Sequence, residues 1–125
     1  MDIPEGLEEE AFYIVNKDLT IDFIEPRILS TPSMINLIEY TCRMMIKPYL
    51  DEEEESLGVM INAKHLAATP EGKKVMVRAF LKSIEGRRLS FVVDVYDEVE
   101  KIGEALHDRI VINKHRFIEH IKKNV

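Results

Sequence analysis

Three polar side chains have types and settings that suit acid–base chemistry. Glu39 is the one carboxylate in the apolar segment STPSMINLIEYTCRMMI, Thr31 stands near the start of that segment, and His65 is the one polar residue on an alternating apolar face. Carboxylates and imidazoles transfer protons in many enzymes, and the free N–H groups at a helix N-terminus stabilise an oxygen anion. If the fold brings the three together, they could act on a carbonyl group.

Each of these side chains also has a plainer role. Glu39 can face water or pair with Arg43 one helical turn later. Thr31 can serve only as a helix N-cap, and His65 can be a hydrogen-bonded residue of the core or of an interface. Ideal helix geometry places Thr31 and Glu39 about 80° apart around the axis and about 12 Å apart along it. Residue types and spacing alone therefore leave both sets of roles open.

The apolar segment has clear start and stop signals for a helix. Ser30 and Thr31 are good N-cap residues, and Pro32 suits the first helical turn. The helix should run to about Ile46, because Pro48 cannot continue it. Apolar residues occur almost all round its axis, which predicts a helix that is buried on most sides.

After the acidic segment LDEEEE the hydrophobic period changes from helical to alternating, which predicts long strands. The turns between them are short, and TPEGKK and EGRR contain glycine, so sequence neighbours should pair antiparallel in a meander. The predicted strands lie in SLGVMINAKHLAAT, VMVRAFLKSI, LSFVVDVYDEVE and KIGEALHDRIVI, after a first strand in AFYIVNKDLTIDFIEP and before a short C-terminal helix in KHRFIEHIKK.

These elements predict an α+β fold in a single domain, residues 1–125. An antiparallel sheet of this length has one apolar face, and the long helix is the element that can cover it. We therefore expect the sheet to wrap around the helix.

Composition narrows the classes of function. The chain has 125 residues with a net charge of −6, no apolar run of 18 residues and an acidic beginning, MDIPEGLEEE. These features predict a cytoplasmic protein without a membrane span or signal peptide, and they argue against nucleic acid as a partner. The single cysteine, Cys42, lies in the apolar helix and is expected to be buried and inert.

Several other patterns carry less information. His107 and Arg109 share a face of the last strand with small residues, which would leave space beside the helix or a ligand, but a solvated strand face is the default expectation. The cations in EGKK and EGRR can meet an anionic ligand or lie in ordinary solvated turns. No spaced set of metal ligands and no Gly-rich phosphate loop is present, so no metal or cofactor is predicted.

Four stretches carry a resemblance to a known family: TPSMINLIEYTC, PYLDEEEESLGVMINAKHLAATPEG, IEGRRLSF and YDEVEKIGEALHDRIVI, of which HLAATPEG is the most specific. Through these stretches the chain resembles the hotdog-fold acyl-CoA thioesterases, and most closely the group similar to fluoroacetyl-CoA thioesterase. The resemblance covers about residues 30 to 117 and keeps the order of the family's blocks.

The resemblance implies roles for five residues. That group has a catalytic Thr, a Glu eight residues later and a His 26 residues after the Glu, spacings that fall here on Thr31, Glu39 and His65. It also implies that Gly58 lines the acyl site through its backbone and that Arg109, in the segment HDR, contacts substrate together with His65.

The family fold is a sheet wrapped around a long helix, in a homodimer with acyl-CoA near the subunit interface. The resemblance thus implies an acyl-CoA thioesterase that acts on a small or short acyl group. It does not extend to fluoroacetyl selectivity, because Asp22 and Glu25 stand where that group has aromatic lid residues. The alternative hypothesis is a non-catalytic hotdog module that binds acyl-CoA or another hydrophobic acid, since one fold serves many functions.

Overall fold

The computed structural model describes all residues from 1 to 125 and contains one sheet and one long helix. The first strand, β1, is followed by the long helix α1, four further strands and a short C-terminal helix, α2. The bounds are β1 Glu8–Ile14, α1 Thr31–Ile46, β2 Glu54–His65, β3 Lys74–Glu85, β4 Arg88–Asp97, β5 Lys101–Asn113 and α2 Lys114–Ile121. The predicted α+β fold is confirmed. No helix has the length and apolar character that crossing a membrane requires.

Helix α1 starts and ends at the positions that its N-cap residue and the following proline predict. The Ser30 hydroxyl accepts a hydrogen bond from the backbone N–H of Ser33 at 3.1 Å, which makes Ser30 the N-cap. Pro32 lies in the first turn, and the α-helix gives way after Ile46 to a 3-10 turn that contains Pro48. Because Ser30 caps the helix, the side chain of Thr31 is free for another contact.

The sheet is antiparallel and has the strand order β1-β3-β4-β5-β2. Strands β3, β4 and β5 form the predicted meander. The prediction that β2 pairs with β3 is wrong, because β2 pairs with β5 and forms an edge of the sheet. Strand β1 pairs with β3 and forms the other edge.

The segment 66–73 explains why β2 and β3 are not a hairpin. The N–H groups of Leu66 and Ala67 both donate to the carbonyl of Ile102, at 2.7 and 3.3 Å, so the chain continues along β5 beyond β2. The N–H of Leu29 then donates to the carbonyl of Thr69 at 2.8 Å. These bonds connect the segment to the residues before α1. The chain therefore passes over β5 and β4 before it enters β3.

The core lies between α1 and the inner face of the sheet. Cys42 is buried in it as predicted, and burial raises the pKa of its thiol to about 12. Gly103 on β5 allows the helix to approach closely, since a Cβ atom there would lie 2.5 Å from Sδ of Met34. The core residues are Val15, Leu29, Met34, Leu37, Ile38, Cys42, Met45, Ile46, Val75, Val77, Ala79, Leu81, Leu89, Phe91, Val93, Val95, Ile102, Ala105 and Val111.

Candidate active site

Thr31 and His65 meet at the N-terminus of α1. Oγ1 of Thr31 lies 2.7 Å from Nδ1 of His65, although the two residues are far apart in sequence. The contact exists because β2 ends at His65 beside the first turn of the helix. The backbone N–H groups of that turn have no partner within the helix, so a polar group bound here meets a positive electrostatic potential.

The remaining ring nitrogen of His65 has no partner. Its Nε2 atom is buried and makes no hydrogen bond in the chain. Burial lowers the pKa of His65, which favours the neutral imidazole at neutral pH. A buried polar atom without a partner is costly, so Nε2 is placed to bond to a group that the single chain does not provide.

An open cavity of about 500 Å³ adjoins this pair. Thr31 and His65 both line it, together with Phe23, whose side chain is 83% exposed. Sequence reasoning did not identify Phe23 as a site residue, because its segment has no regular period and the resemblance directed attention to Asp22 and Glu25. The cavity is large enough for a small acyl group and the start of its thioester arm.

Glu39 lies two helical turns further along α1 and does not pair with Arg43. Arg43 instead donates to Glu55 on β2 at 2.6 Å. The cation closest to Glu39 is Arg109 of β5, with Nη1 3.9 Å from Oε2. The Glu39 side chain is 40% exposed. The alternative in which Glu39 pairs with Arg43 is therefore wrong. The alternative in which the Glu39 side chain faces water holds in part.

Gly58 lets the Glu39 carboxylate approach the backbone of β2. A Cβ atom on Gly58 would lie 2.9 Å from Oε2 of Glu39, 3.1 Å from Cε1 of His107 and 3.5 Å from Nη1 of Arg109. Three side chains from two elements thus converge on the position where any other residue would place its Cβ. Any larger residue here would displace the Glu39 carboxylate.

Arg109 and His107 are buried beneath this position, with exposures of 4% and 1%. The expectation of a solvated strand face for them is wrong, because that face of β5 points towards α1. Nε and Nη2 of Arg109 donate to the side chain and the carbonyl of Ser56, each at 2.8 Å. Ser56 was not identified from the sequence, since its contact with Arg109 depends on the pairing of β2 with β5.

A β-bulge explains the arrangement of β2. The register with β5 shifts between Gly58 and Met60, so Val59 is an extra residue. The alternating face of SLGVMINAKHLAAT that carries His65 would, by strict alternation, also carry Ile61 and Val59, but Val59 is 47% exposed. The bulge puts Gly58 on the inner face in its place.

One chain therefore holds the predicted residues in two separate groups. Thr31 and His65 form one, and Glu39 lies with Gly58 and Arg109 in the other. The sequence separation of eight between Thr31 and Glu39 corresponds to about 12 Å along the helix. The separation of seven between Gly58 and His65 corresponds to roughly 20 Å along β2. No hydrogen bond or ion pair joins the side chains of the two groups within the chain.

Comparisons with known proteins agree on one group of relatives. The sequence model of the family described as fluoroacetyl-CoA-specific thioesterase matches residues 15–115. A fluoroacetyl-CoA thioesterase from Streptantibioticus cattleyicolor is 45% identical over 92 residues, which are 74% of this chain and 66% of the relative, slightly less than two thirds of its length.

Solved structures show the same similarity along nearly the whole chain. A point variant of the fluoroacetyl-CoA thioesterase FlK in complex with acetyl-CoA superimposes with a TM-score of 0.90 at 32% identity, covering 98% of this chain and 99% of the other. A hypothetical protein from Thermus thermophilus, a thioesterase superfamily member, gives 0.88 at 30% identity, with 98% and 93% covered. The architecture and the arrangement of elements around the two groups are thus those of known thioesterases.

Proposed function

The chain belongs to the fluoroacetyl-CoA-specific thioesterase family, and from this membership we propose that it hydrolyses acyl-CoA thioesters with small acyl groups. The observation that carries the proposal is the 2.7 Å contact between Thr31 and His65 at the N-terminus of α1, beside an open cavity. A FlK variant has been crystallised with acetyl-CoA, which supports a small acyl group. Fluoroacetyl selectivity is not part of the proposal, because Asp22 and Glu25 remain unlike the aromatic lid residues of that group.

The roles follow from the hydrogen-bonding capacity of each group. We assign the Thr31 hydroxyl as the donor in its 2.7 Å contact with Nδ1 of His65, which places the proton of the neutral ring on Nε2. This Nε2–H orients a carboxylate, which we assign to Glu39. The free N–H groups at the start of α1 stabilise the oxyanion that develops on the thioester carbonyl.

Hydrolysis through these groups balances without a cofactor. The Glu39 carboxylate takes a proton from water, and the water oxygen attacks the thioester carbon. When the C–S bond breaks, the proton held by Glu39 passes to the departing thiolate. As a nucleophile, the Glu39 carboxylate would instead attack the thioester carbon and expel the thiolate, which forms an anhydride that water then opens. Single turnover in ¹⁸O-labelled water tests for the second route, because label enters the Glu39 carboxylate only when water opens such an anhydride at the Glu39 carbonyl carbon.

The site is completed in our proposal by a second copy of the chain. Strand β2 is an edge strand whose backbone is unpaired on one side, and Val59 and Met60 beside the bulge are exposed. Antiparallel pairing of two β2 strands about a two-fold axis at Asn62 pairs Ile61 of one copy with Ala63 of the other. Because Val59 is an extra residue at the bulge, the same pairing places Gly58 of one copy opposite His65 of the other.

This pairing brings the two groups of site residues together. Glu39 lies against Gly58 in its own chain, so in the dimer it approaches the unpartnered Nε2 of the partner subunit's His65. The homodimer is therefore part of the proposed function. Each of its two sites would combine Thr31 and His65 from one copy with Glu39, Gly58 and Arg109 from the other.

A panel of acyl-CoAs tests the function. The panel should run from acetyl to medium-chain acyl groups, with release of free thiol as the readout and Glu39→Gln and His65→Ala as test variants. Glu52→Gln and His120→Ala are matched controls, because both residues are exposed and make no side-chain bond. We expect thiol release from small acyl-CoAs, lost in both test variants and kept in both controls.

Two results would contradict the proposal. Unchanged turnover in both test variants would show that Glu39 and His65 do not have the assigned roles. Thermal stabilisation of the protein by acyl-CoAs without any thiol release would instead show a binding module.

A further inference from the structure

His107 is a buried histidine to which the proposed mechanism gives no role. It lies on β5 with 1% of its surface exposed, and its ring stacks on Phe91 of β4 with centroids 6.1 Å apart. Both ring nitrogens have partners: Nδ1 lies 2.8 Å from the carbonyl oxygen of Met60, and Nε2 lies 3.1 Å from Nη1 of Arg109. Every polar atom of the side chain is thus used inside the protein.

The partners determine the tautomer of His107. A guanidinium nitrogen can only donate and a carbonyl oxygen can only accept. Nε2 must therefore accept from Arg109 with its lone pair, and Nδ1 must carry the proton that it donates to Met60. This is the opposite tautomer to the one assigned to His65.

The neutral state of His107 is also favoured by its surroundings. Burial lowers the pKa of His107. The charged groups that face it are Arg109 and Asp108 of β5 and Glu39 of α1, whereas Phe91 on β4 carries no charge. Protonation of Nε2 would turn an acceptor into a donor facing Arg109 and would end that contact.

The contact with His107 completes the hydrogen bonding that orients the Arg109 guanidinium. Ser56 holds Nε and Nη2, and His107 holds Nη1, the nitrogen 3.9 Å from the Glu39 carboxylate. Without His107, Nη1 would have no bonded partner in the chain, and the guanidinium could tilt away from Glu39. The bond from His107 to the Met60 carbonyl holds β2 directly after the bulge at Val59. This is the bulge that brings Gly58 under Glu39.

We propose that His107 is a positioning residue, which as the neutral Nδ1–H tautomer holds Arg109 beside Glu39 and fixes the bulge next to Gly58. It touches no substrate and acts through Arg109 and Met60. The inference rests on the proposed function, because the carboxylate that it positions is the one assigned to catalysis.

The variants His107→Gln and His107→Leu separate positioning from packing. A glutamine amide presents a donor and an acceptor with a spacing close to that of the two ring nitrogens, whereas leucine fills space and bonds to neither partner. We expect His107→Leu to lower kcat for acetyl-CoA hydrolysis by roughly 10²-fold with little change in KM, as misplacement of a catalytic group does. His107→Gln should keep most of the activity, and His120→Ala is the matched control on an exposed histidine.

Nuclear magnetic resonance of the full chain provides a test that needs no turnover. A long-range ¹H–¹⁵N spectrum at neutral pH should show His107 protonated on Nδ1 only. Water exchange of the Arg109 guanidinium protons should be slow in the wild type and in His107→Gln, and faster in His107→Leu. If no acyl-CoA is hydrolysed, the proposed function fails while these spectra still decide whether His107 holds Arg109.

Specific outcomes would overturn the inference. A proton on Nε2 in the wild type would contradict the assigned contact with Arg109. Wild-type kcat in His107→Leu, in a protein that turns over acetyl-CoA, would show that the contact has no catalytic consequence. Equal losses in His107→Gln and His107→Leu would assign the residue to packing alone. If His107→Leu does not fold, the activity of His107→Gln and the wild-type spectra still test whether His107 positions Arg109.

Discussion

The hydroxyl of Thr31 lies 2.7 Å from Nδ1 of His65, so a residue of the first helical turn is joined to the last residue of β2. The bond is possible because Ser30 supplies the N-cap and leaves the Thr31 side chain free. It leaves the other ring nitrogen of His65 buried and without a partner. The contact therefore presents one defined ring atom to whatever completes the site.

Replacement of Thr31 tests whether this bond matters for catalysis. We expect Thr31→Val to lower kcat by roughly 10²-fold, because the ring of His65 loses the donor that selects its tautomer. Thr31→Ser keeps the hydroxyl and should retain most of the activity. The measurement is steady-state thiol release from acetyl-CoA. Equal activity of the Val and Ser variants would show that the hydroxyl has no role.

The protonation of His65 predicts how activity depends on pH. Burial lowers its pKa below the ordinary value of 6.5, and the proposed role needs the neutral ring. Activity should therefore be level above this pKa and fall as the pH drops through it. A titration of the His65 ring by nuclear magnetic resonance gives the midpoint directly. In Glu39→Gln, which removes the carboxylate that would oppose burial in the proposed shared site, a midpoint above 6.5 would contradict the burial argument.

The sequence predicts the helix and the strands well because their signals are local. Capping residues, proline and hydrophobic period define α1 from Thr31 to Ile46 and the alternating strands. The edge position of β2 is not local, since it depends on where segment 66–73 finds its hydrogen bonds. The bulge at Val59 shifts the alternation by one residue, so the inner position of Gly58 could be implied only by a resemblance.

The polar residues likewise divide into features that local sequence signals predict and features that depend on the packing of the whole fold. Type, setting and family spacing single out Thr31, Glu39 and His65, and helix geometry places Glu39 about 12 Å along the axis from Thr31. No local pattern shows that His65 lies beside Thr31 and apart from Glu39. Burial of His107 likewise follows from packing of β5 against α1, which strand alternation does not reveal.

Gly58→Ala is expected to impair catalysis more than stability. The added methyl group would lie 2.9 Å from the Glu39 carboxylate, closer than side-chain atoms can approach, so the carboxylate must move. The position is exposed within the single chain, and the strand should form as before. We expect kcat for acetyl-CoA to fall by roughly 10²-fold with a nearly unchanged melting temperature. A large loss of stability would indicate a structural role for Gly58.

Glu55 is expected to stabilise the fold at neutral pH and not in acid. The hydrogen bond from Arg43 lowers the pKa of Glu55 from 4.5 to about 2, against the opposing effect of burial. Because the pKa is lower in the folded state, the stabilisation is complete above pH 4.5 and is lost as the pH falls towards 2. Glu55→Gln should cost on the order of 1 kcal/mol near neutral pH, since Arg43 is partly exposed.

Urea unfolding of Glu55→Gln at several pH values checks this prediction, with Glu52→Gln as the exposed control. The difference from the wild type should shrink as the pH is lowered. A difference that stays constant with pH would show that the carboxylate charge is not what stabilises this site.

Mixing two inactive variants tests whether the site is shared between copies. Glu39→Gln keeps Thr31 and His65, and His65→Ala keeps Glu39, so a mixed dimer of the two would contain one intact shared site and one doubly damaged site. Random exchange of equal amounts makes half of the dimers mixed, which predicts recovery of about a quarter of the wild-type activity. Sites built within single chains would recover none, because every chain carries one damaged residue. The measurement is thiol release before and after subunit exchange, with the mass of the mixed species checked by native mass spectrometry. Absence of recovery in a mixture that contains mixed dimers would rule out the shared site.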